Sequence, residues 1–456
     1  MHTKTHSLTE GPLGKQILTF SLPLILSNVL QVLFNMADVA VVGRFCGPRE
    51  LGAVGSTSIM VALFTGILMG MGSAVNVLVA QFVGAKSRKD VEETVHTSAI
   101  LCLLTGIVIL IIGLLFARPL LELLNTKDEL IDGATLYLHI YFWGMPAMAI
   151  YNFGNGVLSA VGDTKRPLYF LTTAGVINVI LNLFFVLVLG MSVDGVAFAT
   201  IISQYISAIL ILISLFRSSG IHALRLSALR LTPSKAKRIL LLGIPAGMQN
   251  AIFQMANLFI QAGVNSFDAT MVEGNSAAAN SDALVYDVMA AFYTACSSFM
   301  GQNFGAGKKD RVIKSFLISL AYSFGIGAIM GCSLVVFGRN FLSIFTTEPE
   351  VIEAGMHRLT VMGLSYGISA FMDCPIAACR GLGKSVIPTM IVIMGSCVFR
   401  IIWVYTIFAY FHTILSLYLL YVFSWSITAI AELIYFVHIY KQQMAGIRPA
   451  IPITEG

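Results

Sequence analysis

Two stretches decide the fold: PLILSNVLQVLFNMAD at residues 23–38 and PAGMQNAIFQMANLFI at residues 245–260. Pro23, Asn28 and Asn35 fall on Pro245, Asn250 and Asn257 at a spacing of 222, whereas Asp38 falls on Ile260. The register carries outward along the chain. Gln81, Gly84 and Ala85 match Gln302, Gly305 and Ala306 at 221; Phe116 and Arg118 match Phe337 and Arg339; Gly162 and Pro167 match Gly383 and Pro388. One gap in the first hairpin absorbs the one-residue drift. Self-similarity over this length is a property of the architecture, and doubled helical bundles are a common way to build a membrane protein.

Composition places both copies in a bilayer. The 456 residues are 57% hydrophobic and 11% charged, with a mean hydropathy of +0.84, far more apolar surface than a soluble fold of that length buries. Spans of about 20 apolar residues cross a bilayer. Twelve are expected, near 16–42, 51–80, 94–117, 134–158, 167–190, 193–216, 238–265, 276–301, 313–337, 355–379, 386–411 and 414–440. The expected fold class is an all-α membrane protein with twelve transmembrane helices in two six-helix lobes, related by a pseudo-twofold axis along the membrane normal. The lobes are 1–216 and 238–440, separated by a basic linker at 217–237 that contains Pro233 and followed by a tail at 441–456.

Lys and Arg set the orientation. With the N-terminus inside, 21 fall on cytoplasmic segments, including Lys4, Lys15 and Arg448, and six outside, Arg358 among them; Arg400 lies within a span. That split is a strong positive-inside signal. It predicts an inner or plasma membrane protein with both termini cytoplasmic, and parallel repeats, since each holds an even number of spans. The opening polar residues run into a span too long for a signal-peptide core, so the first helix is expected to be retained. The net charge of +5 belongs to these loops and gives no case for nucleic acid. Seven cysteines without a C-x-x-C pattern argue against disulfides or zinc. The absence of Walker A, H-E-x-x-H and G-x-S-x-G sequences argues against an enzyme.

Ionisable groups at lipid depth are costly and mark candidate sites. There are six: Asp38, Asp282, Asp287, Asp373, Arg400 and Glu432. On the first helix Asn28, Gln31, Asn35 and Asp38 share an arc of about 80°. By rise per residue, Asp38 lies roughly 9 Å from the outer end of its helix, and Asn182 and Thr200 about 12 Å deep, with Asn178 one turn deeper. A carboxylate with amide and hydroxyl oxygens suits sodium, and a partly dry carboxyl equally suits a proton. The alternative is an aspartate merely satisfied by asparagine donors. The seventh helix repeats the stripe with Asn250, Gln254, Asn257, Gln261 and Asn265, without an acid. Asp287 and Arg400 fall at similar depth, which predicts either an ion pair or a share in a substrate site. Gln254, Asn257 and Asp373 are further substrate-binding candidates. Glu432 is expected to cap or snorkel.

The strings P-L-I-L-S-N-V-L-Q (23–31), N-M-A-D-V-A-V-V-G-R (35–44), V-A-Q-F-V-G-A-K (79–86), G-Q-N-F-G-A-G-K (301–308) and R-G-L-G-K-S (380–385) resemble the multidrug and toxic compound extrusion (MATE) family over nearly the whole chain. The resemblance implies a cation-coupled exporter. It implies a coupling site of Asp38, Gln31, Asn178, Asn182 and Thr200, to which the polar stripe adds Asn35, with Asp38, Asn178, Asn182 and Thr200 as ligands if the ion is sodium. Several members carry Asp where Asn182 stands. The expected function is export of organic, cationic, amphipathic compounds against inward sodium or protons, by a monomer without a cofactor. Pro23 is the expected hinge, because it removes a helical hydrogen bond. The alternatives are a flippase of lipid-linked sugars, which would want a cationic cavity, and a receptor or scaffold that transports nothing.

Overall fold

A computed structural model of the chain describes residues 7–124 and 126–446. Lys4, Arg448 and the end of the tail lie outside the described residues. Fourteen helices follow in order: α1 (Leu13–Cys46), α2 (Pro48–Ser56), α3 (Ser58–Gly84), α4 (Arg88–Leu123), α5 (Asp128–Phe142), α6 (Met145–Ala160), α7 (Lys165–Val188), α8 (Val193–Phe216), α9 (Pro233–Val264), α10 (Ala269–Gly305), α11 (Lys309–Leu342), α12 (Pro349–Gly381), α13 (Val386–Phe411) and α14 (Ile414–Ala445). No strand occurs among the described residues. Eleven of the helices are long and apolar enough to cross a membrane. The twelfth span is the pair α5 and α6, so the all-α membrane fold with six spans per repeat is borne out.

That twelfth span breaks for a local reason. Pro146 has no amide N–H to give the Phe142 carbonyl, so a continuous helix would lose a hydrogen bond there. The chain closes in short turns instead, with Trp143 N on Ile140 O (3.0 Å) and Gly144 N on Tyr141 O (2.9 Å), and the Tyr205 hydroxyl donates to the Trp143 carbonyl at 3.0 Å. Gly144 fits because any Cβ there would lie 1.9 Å from Gln204 Oε1. At the spacing of 221, Pro146 becomes Gly367, and α12 runs unbroken. A second interruption separates α2 from α3. Ser56, Thr57 and Ser58 each turn their hydroxyls back on the carbonyl three residues earlier, at 2.6–2.8 Å, which competes with the helical ladder.

Compactness divides the chain into two units that do not part at the linker. Unit 1 holds residues 26–83 and 87–251, and unit 2 holds 8–25, 84–86 and everything from 252. The start of α1 therefore belongs to unit 2. There Ile17, Phe20 and Leu24 pack with Phe292, Ala295 and Phe299, and the Phe20 and Phe299 rings meet edge to face at 5.5 Å. The first half of α9 belongs to unit 1, where Gly243 and Gly247 approach Gly70 so closely that a Cβ on Gly70 would lie 2.4 Å from Gly247 N. The matched glutamines noticed in the sequence hold these segments. Gln81 accepts from Arg238 Nη2 (3.0 Å) and Gln302 from the Leu8 amide (3.2 Å). The linker also lies in unit 1, with Arg230 on Glu93 (2.7 Å) and Thr232 N on Thr97 Oγ1 (3.0 Å).

Two glycines mark one of the closest helix approaches. In unit 2, α11 and α12 meet backbone to backbone: a Cβ on Gly331 would lie 1.9 Å from Gly363 O, and one on Gly363 2.7 Å from Gly331 O. Alanine is favoured over glycine in a helix by about 1 kcal/mol, but overpacking costs about 1–3 kcal/mol and here the obstacle is backbone that cannot rotate away. Gly331→Ala is therefore expected to lower the thermal unfolding midpoint of the detergent-solubilised protein. A midpoint that held or rose would show that the two helices part without cost.

Candidate functional site

Helix α1 carries Asp38 to within one turn of a π-helical turn at Val42–Cys46, and α7 carries Asn182 to the edge of another at Phe184–Val188. Such turns displace side chains from regular helical positions and often lie at functional sites. The two helices can approach because Gly175 leaves room for Phe34, whose ring would lie 1.9 Å from a Cβ at that position. One turn beyond Phe34, Asp38 meets α7 and α8. Asn182 Nδ2 donates to Asp38 Oδ1 at 2.5 Å and to Asn178 Oδ1 at 3.3 Å. The Thr200 hydroxyl lies 3.4 Å from Asp38 Oδ2 and 3.0 Å from the Val196 carbonyl, and Asn178 Nδ2 reaches Thr200 Oγ1 at 3.5 Å.

Four of the six expected coupling residues thus form one network: Asp38, Asn178, Asn182 and Thr200. Gln31 and Asn35 stand exposed on α1 and take no part in it. The network is rich in acceptors. Asn182 is 0% exposed and its Oδ1 has no hydrogen-bond partner among the described residues. The Asp38 carboxylate, Asn178 Oδ1 and the Thr200 hydroxyl, joined by Asn182 Oδ1 when that amide turns over, make a set of hard oxygens around a single formal negative charge, chemistry that fits a small monovalent cation or a proton and lacks the charge a divalent ion asks for. No group of three His, Cys, Asp or Glu side chains suited to a metal occurs among the described residues. The buried pair Tyr137 and Tyr141, stacked at 5.8 Å, lies within electrostatic reach of Asp38. Sequence reasoning missed both tyrosines, because α5 ends at a break that no hydropathy pattern announces.

Unit 2 places other chemistry at the equivalent positions. At the repeat spacing, Asp38, Asn178, Asn182 and Thr200 become Ile260, Phe399, Trp403 and Tyr421. Phe399 and Trp403 pack at 5.7 Å, and the Trp403 indole donates to the Ser416 carbonyl at 2.8 Å. The expected Asp287–Arg400 ion pair does not form among the described residues. Arg400, between π-helical turns at Ile393–Val398 and Val404–Phe408, gives Nε to Ser424 Oγ (3.1 Å) and Nη1 to Asn257 Oδ1 (3.4 Å). Its guanidinium lies over the rings of Tyr421 (4.8 Å) and Phe253 (5.5 Å). Gln254 and Asn257 are exposed on α9.

The other acids separate by partner. Asp282 pairs with Arg358, a residue expected outside the membrane but lying in the third turn of α12, and it also accepts from Tyr366. Arg358 donates to Asn275 Oδ1 at 2.8 Å, as does the Tyr418 hydroxyl at 3.0 Å. The sequence marked Asp282 as an ionisable group at lipid depth but counted Arg358 with the outside residues, so the pairing went unread. Glu432 neither caps nor snorkels: it is 0% exposed, and both carboxyl oxygens lack a partner among the described residues. Asp373 is likewise buried with Oδ2 unpartnered, and both acids lie within electrostatic reach of Arg380.

Comparison with known proteins follows the repeat. The MatE family model matches the chain twice, at residues 23–184 and 245–406. Among curated relatives, the "Probable multidrug resistance protein YpnP" of Bacillus subtilis is 32% identical over 367 residues, covering 80% of this chain and 81% of that protein. A protein named "FAD transporter" from Shewanella oneidensis is 25% identical, covering 79% and 81%. Among solved structures, a MOP superfamily transporter from Pyrococcus furiosus superposes with a TM-score of 0.91 at 22% identity, covering 97% of this chain and 99% of that one. An outward-facing multidrug resistance MATE family transporter superposes at 0.90 and 22% identity, covering 98% and 100%.

Proposed function

The chain belongs to the MatE family and is a multi-pass membrane transporter of the multidrug efflux kind, and from that premise we propose that it is a secondary antiporter. Sodium or protons entering at Asp38 drive the export of organic amphipathic compounds, which leave chemically unchanged. The observation that supports this reading is the one-sided ion cluster: Asp38 is bonded to Asn182 and Thr200, while the repeat-equivalent positions of unit 2 are Ile260, Trp403 and Tyr421. A charge set at membrane depth in one repeat only is costly without a function.

Ion binding at Asp38 has a physical route to the rest of the molecule. Helix α1 changes unit between Ile25 and Leu26, so the helix that bears Asp38 begins in unit 2. Pro23, two residues before that change, is buried inside α1 and removes one rung of its ladder. In this proposal a cation that draws Asp38, Asn178 and Thr200 oxygens together bends α1 at Pro23 and so biases alternating access. The protein acts as a monomer in the cell membrane with both termini cytoplasmic, in keeping with the positive-inside count.

The test is efflux from proteoliposomes under sodium and pH gradients imposed separately. Transport driven by neither gradient would overturn the antiport reading. Asn182→Asp adds a second carboxylate beside Asp38 and is expected to tighten the site for its cation. If sodium couples, half-saturation should move to lower sodium by about tenfold, the effect of one added charge worth about 1.4 kcal/mol. If protons couple, the pH midpoint of efflux should rise, because two neighbouring carboxylates hold a proton more tightly than one. An unchanged ion dependence in Asn182→Asp would remove Asn182 from the site.

A further inference from the structure

Arg400 is a cation without an ion-pair partner. It is 2% exposed on α13, yet no carboxylate lies within 4 Å of it among the described residues, and its hydrogen bonds go to the neutral side chains of Ser424 and Asn257. A buried charge left with neutral partners is costly, and evolution has cheaper ways to bind three helices together. The other buried arginine of unit 2 shows the contrast. Arg358 is matched by Asp282, and the two leave no net charge. Asp373 lies within electrostatic reach of Arg400 without contacting it.

The surroundings of Arg400 say what its partner would be. Nη2 has no hydrogen-bond partner among the described residues, so its two N–H groups remain as charged donors of the kind an oxyanion accepts. Tyr421 and Phe253 flank the guanidinium with ring faces, at 4.8 and 5.5 Å, which offers stacking area to a flat aromatic system. Access comes from α9. Asn257, bonded to Arg400, is itself exposed two turns before the C-terminal end of a membrane-crossing helix, with Gln254 exposed one turn before it. Amides at that depth need water or a polar ligand in front of them. In unit 1 the repeat-equivalent of Arg400 is Val179, so the cation belongs to unit 2 alone.

We propose that Arg400 forms an oxyanion subsite, and that the transported compounds include planar aromatic ones bearing a carboxylate or phosphate, with the oxyanion on the guanidinium and the ring system against Tyr421 and Phe253. This rests on the export reading but departs from a purely cationic substrate class. Two matched pairs test it by fluorescence anisotropy on the purified protein in lipid nanodiscs without any ion gradient: a rhodamine with a free carboxylate against its methyl ester, and a planar aryl phosphate against its parent phenol.

The wild type is expected to bind the anionic member of at least one pair about tenfold or more tighter, the worth of a charge-assisted hydrogen bond. Arg400→Gln should erase that preference while moving the neutralised member less than about twofold, and Arg400→Lys should keep part of it. The pair that shows the preference names the oxyanion. No preference in either pair would overturn the proposal. So would an equal loss for both members in Arg400→Gln accompanied by a lowered unfolding midpoint, because that pattern marks a residue that only holds helices together. Since binding is read without a gradient, loss of antiport leaves these outcomes readable.

Discussion

Asp38→Asn is expected to uncouple efflux from ion gradients, lowering gradient-driven transport by about 5- to 150-fold, the range of a coupling free energy of about 1–3 kcal/mol. The substitution is close to isosteric. An asparagine carbonyl at position 38 can still accept from Asn182 Nδ2, and the Thr200 hydroxyl keeps its bond to the Val196 carbonyl at 3.0 Å, so the packing of α1 against α7 and α8 survives. What disappears is the single formal negative charge. Without it the cluster holds only neutral oxygens, and a monovalent cation has no Coulombic reason to leave water; nor is there a carboxyl left to take up a proton. A ligand that no longer distinguishes two conformations cannot shift their populations. The measurement is gradient-driven efflux in proteoliposomes at matched protein content, beside dye binding in nanodiscs. Binding should stay within about threefold of wild type while coupled transport falls, a split consistent with loss of coupling alone. Wild-type efflux by Asp38→Asn would place the ion elsewhere, and Glu432 and Asp373 of unit 2, whose Oε1, Oε2 and Oδ2 lack partners among the described residues, would be the next residues to substitute.

Much of the fold was legible because bilayers impose it. A span must be long, apolar and helical, so hydropathy located the twelve spans, and the 222-to-221 register paired them. The break between α5 and α6 was not legible, because Pro146 is one of several intramembrane prolines and others, such as Pro23, sit inside continuous helices. What decides is whether neighbours serve the backbone of the turn, as Tyr205 does for the Trp143 carbonyl. The exchange of half-helices between units was also hidden, since Leu26 and Ala251 carry no mark of a boundary.

At the site, periodicity found the right helix face for Asp38 but recruited too much of it. Gln31 and Asn35 share the arc but stand exposed, and it is Asp38, one turn beyond the Phe34 ring in its notch at Gly175, that meets Asn182. Depth alone matched Asp38 with Asn182 and Thr200 correctly, and matched Asp287 with Arg400 wrongly. Residues at one height in a bundle can point away from each other, and a single sequence records no rotation between helices that are distant along the chain.

The same ambiguity hid the most enclosed ion pair among the described residues, and its removal carries the second large effect. Arg358 (7% exposed) and Asp282 (24% exposed) are bonded side chain to side chain in unit 2, and Tyr366 also donates to Asp282. Asn275 and the ring faces of Tyr418 (5.6 Å) and Tyr421 (5.4 Å) complete the surroundings of Arg358. Truncating one partner of a buried pair costs about 3–5 kcal/mol, chiefly because the other charge is stranded. The more enclosed charge should be the more expensive to strand. Asp282→Leu, which leaves Arg358 without an acid, is therefore expected to lower the unfolding midpoint further than Arg358→Met, which leaves an aspartate that water and Tyr366 can still serve. The double substitution should recover much of either loss, since two apolar side chains strand nothing and a buried pair is often close to neutral against an apolar replacement. A double-mutant cycle on thermal unfolding in detergent reads this directly: a coupling energy near zero would mean that the pair is bridged by water and contributes little. The variants also separate architecture from recognition. The doubly substituted protein, once folded, should keep the preference for an oxyanion-bearing dye, because Arg400 and its rings remain, whereas loss of that preference alongside restored stability would assign Arg358 a share of the ligand as well.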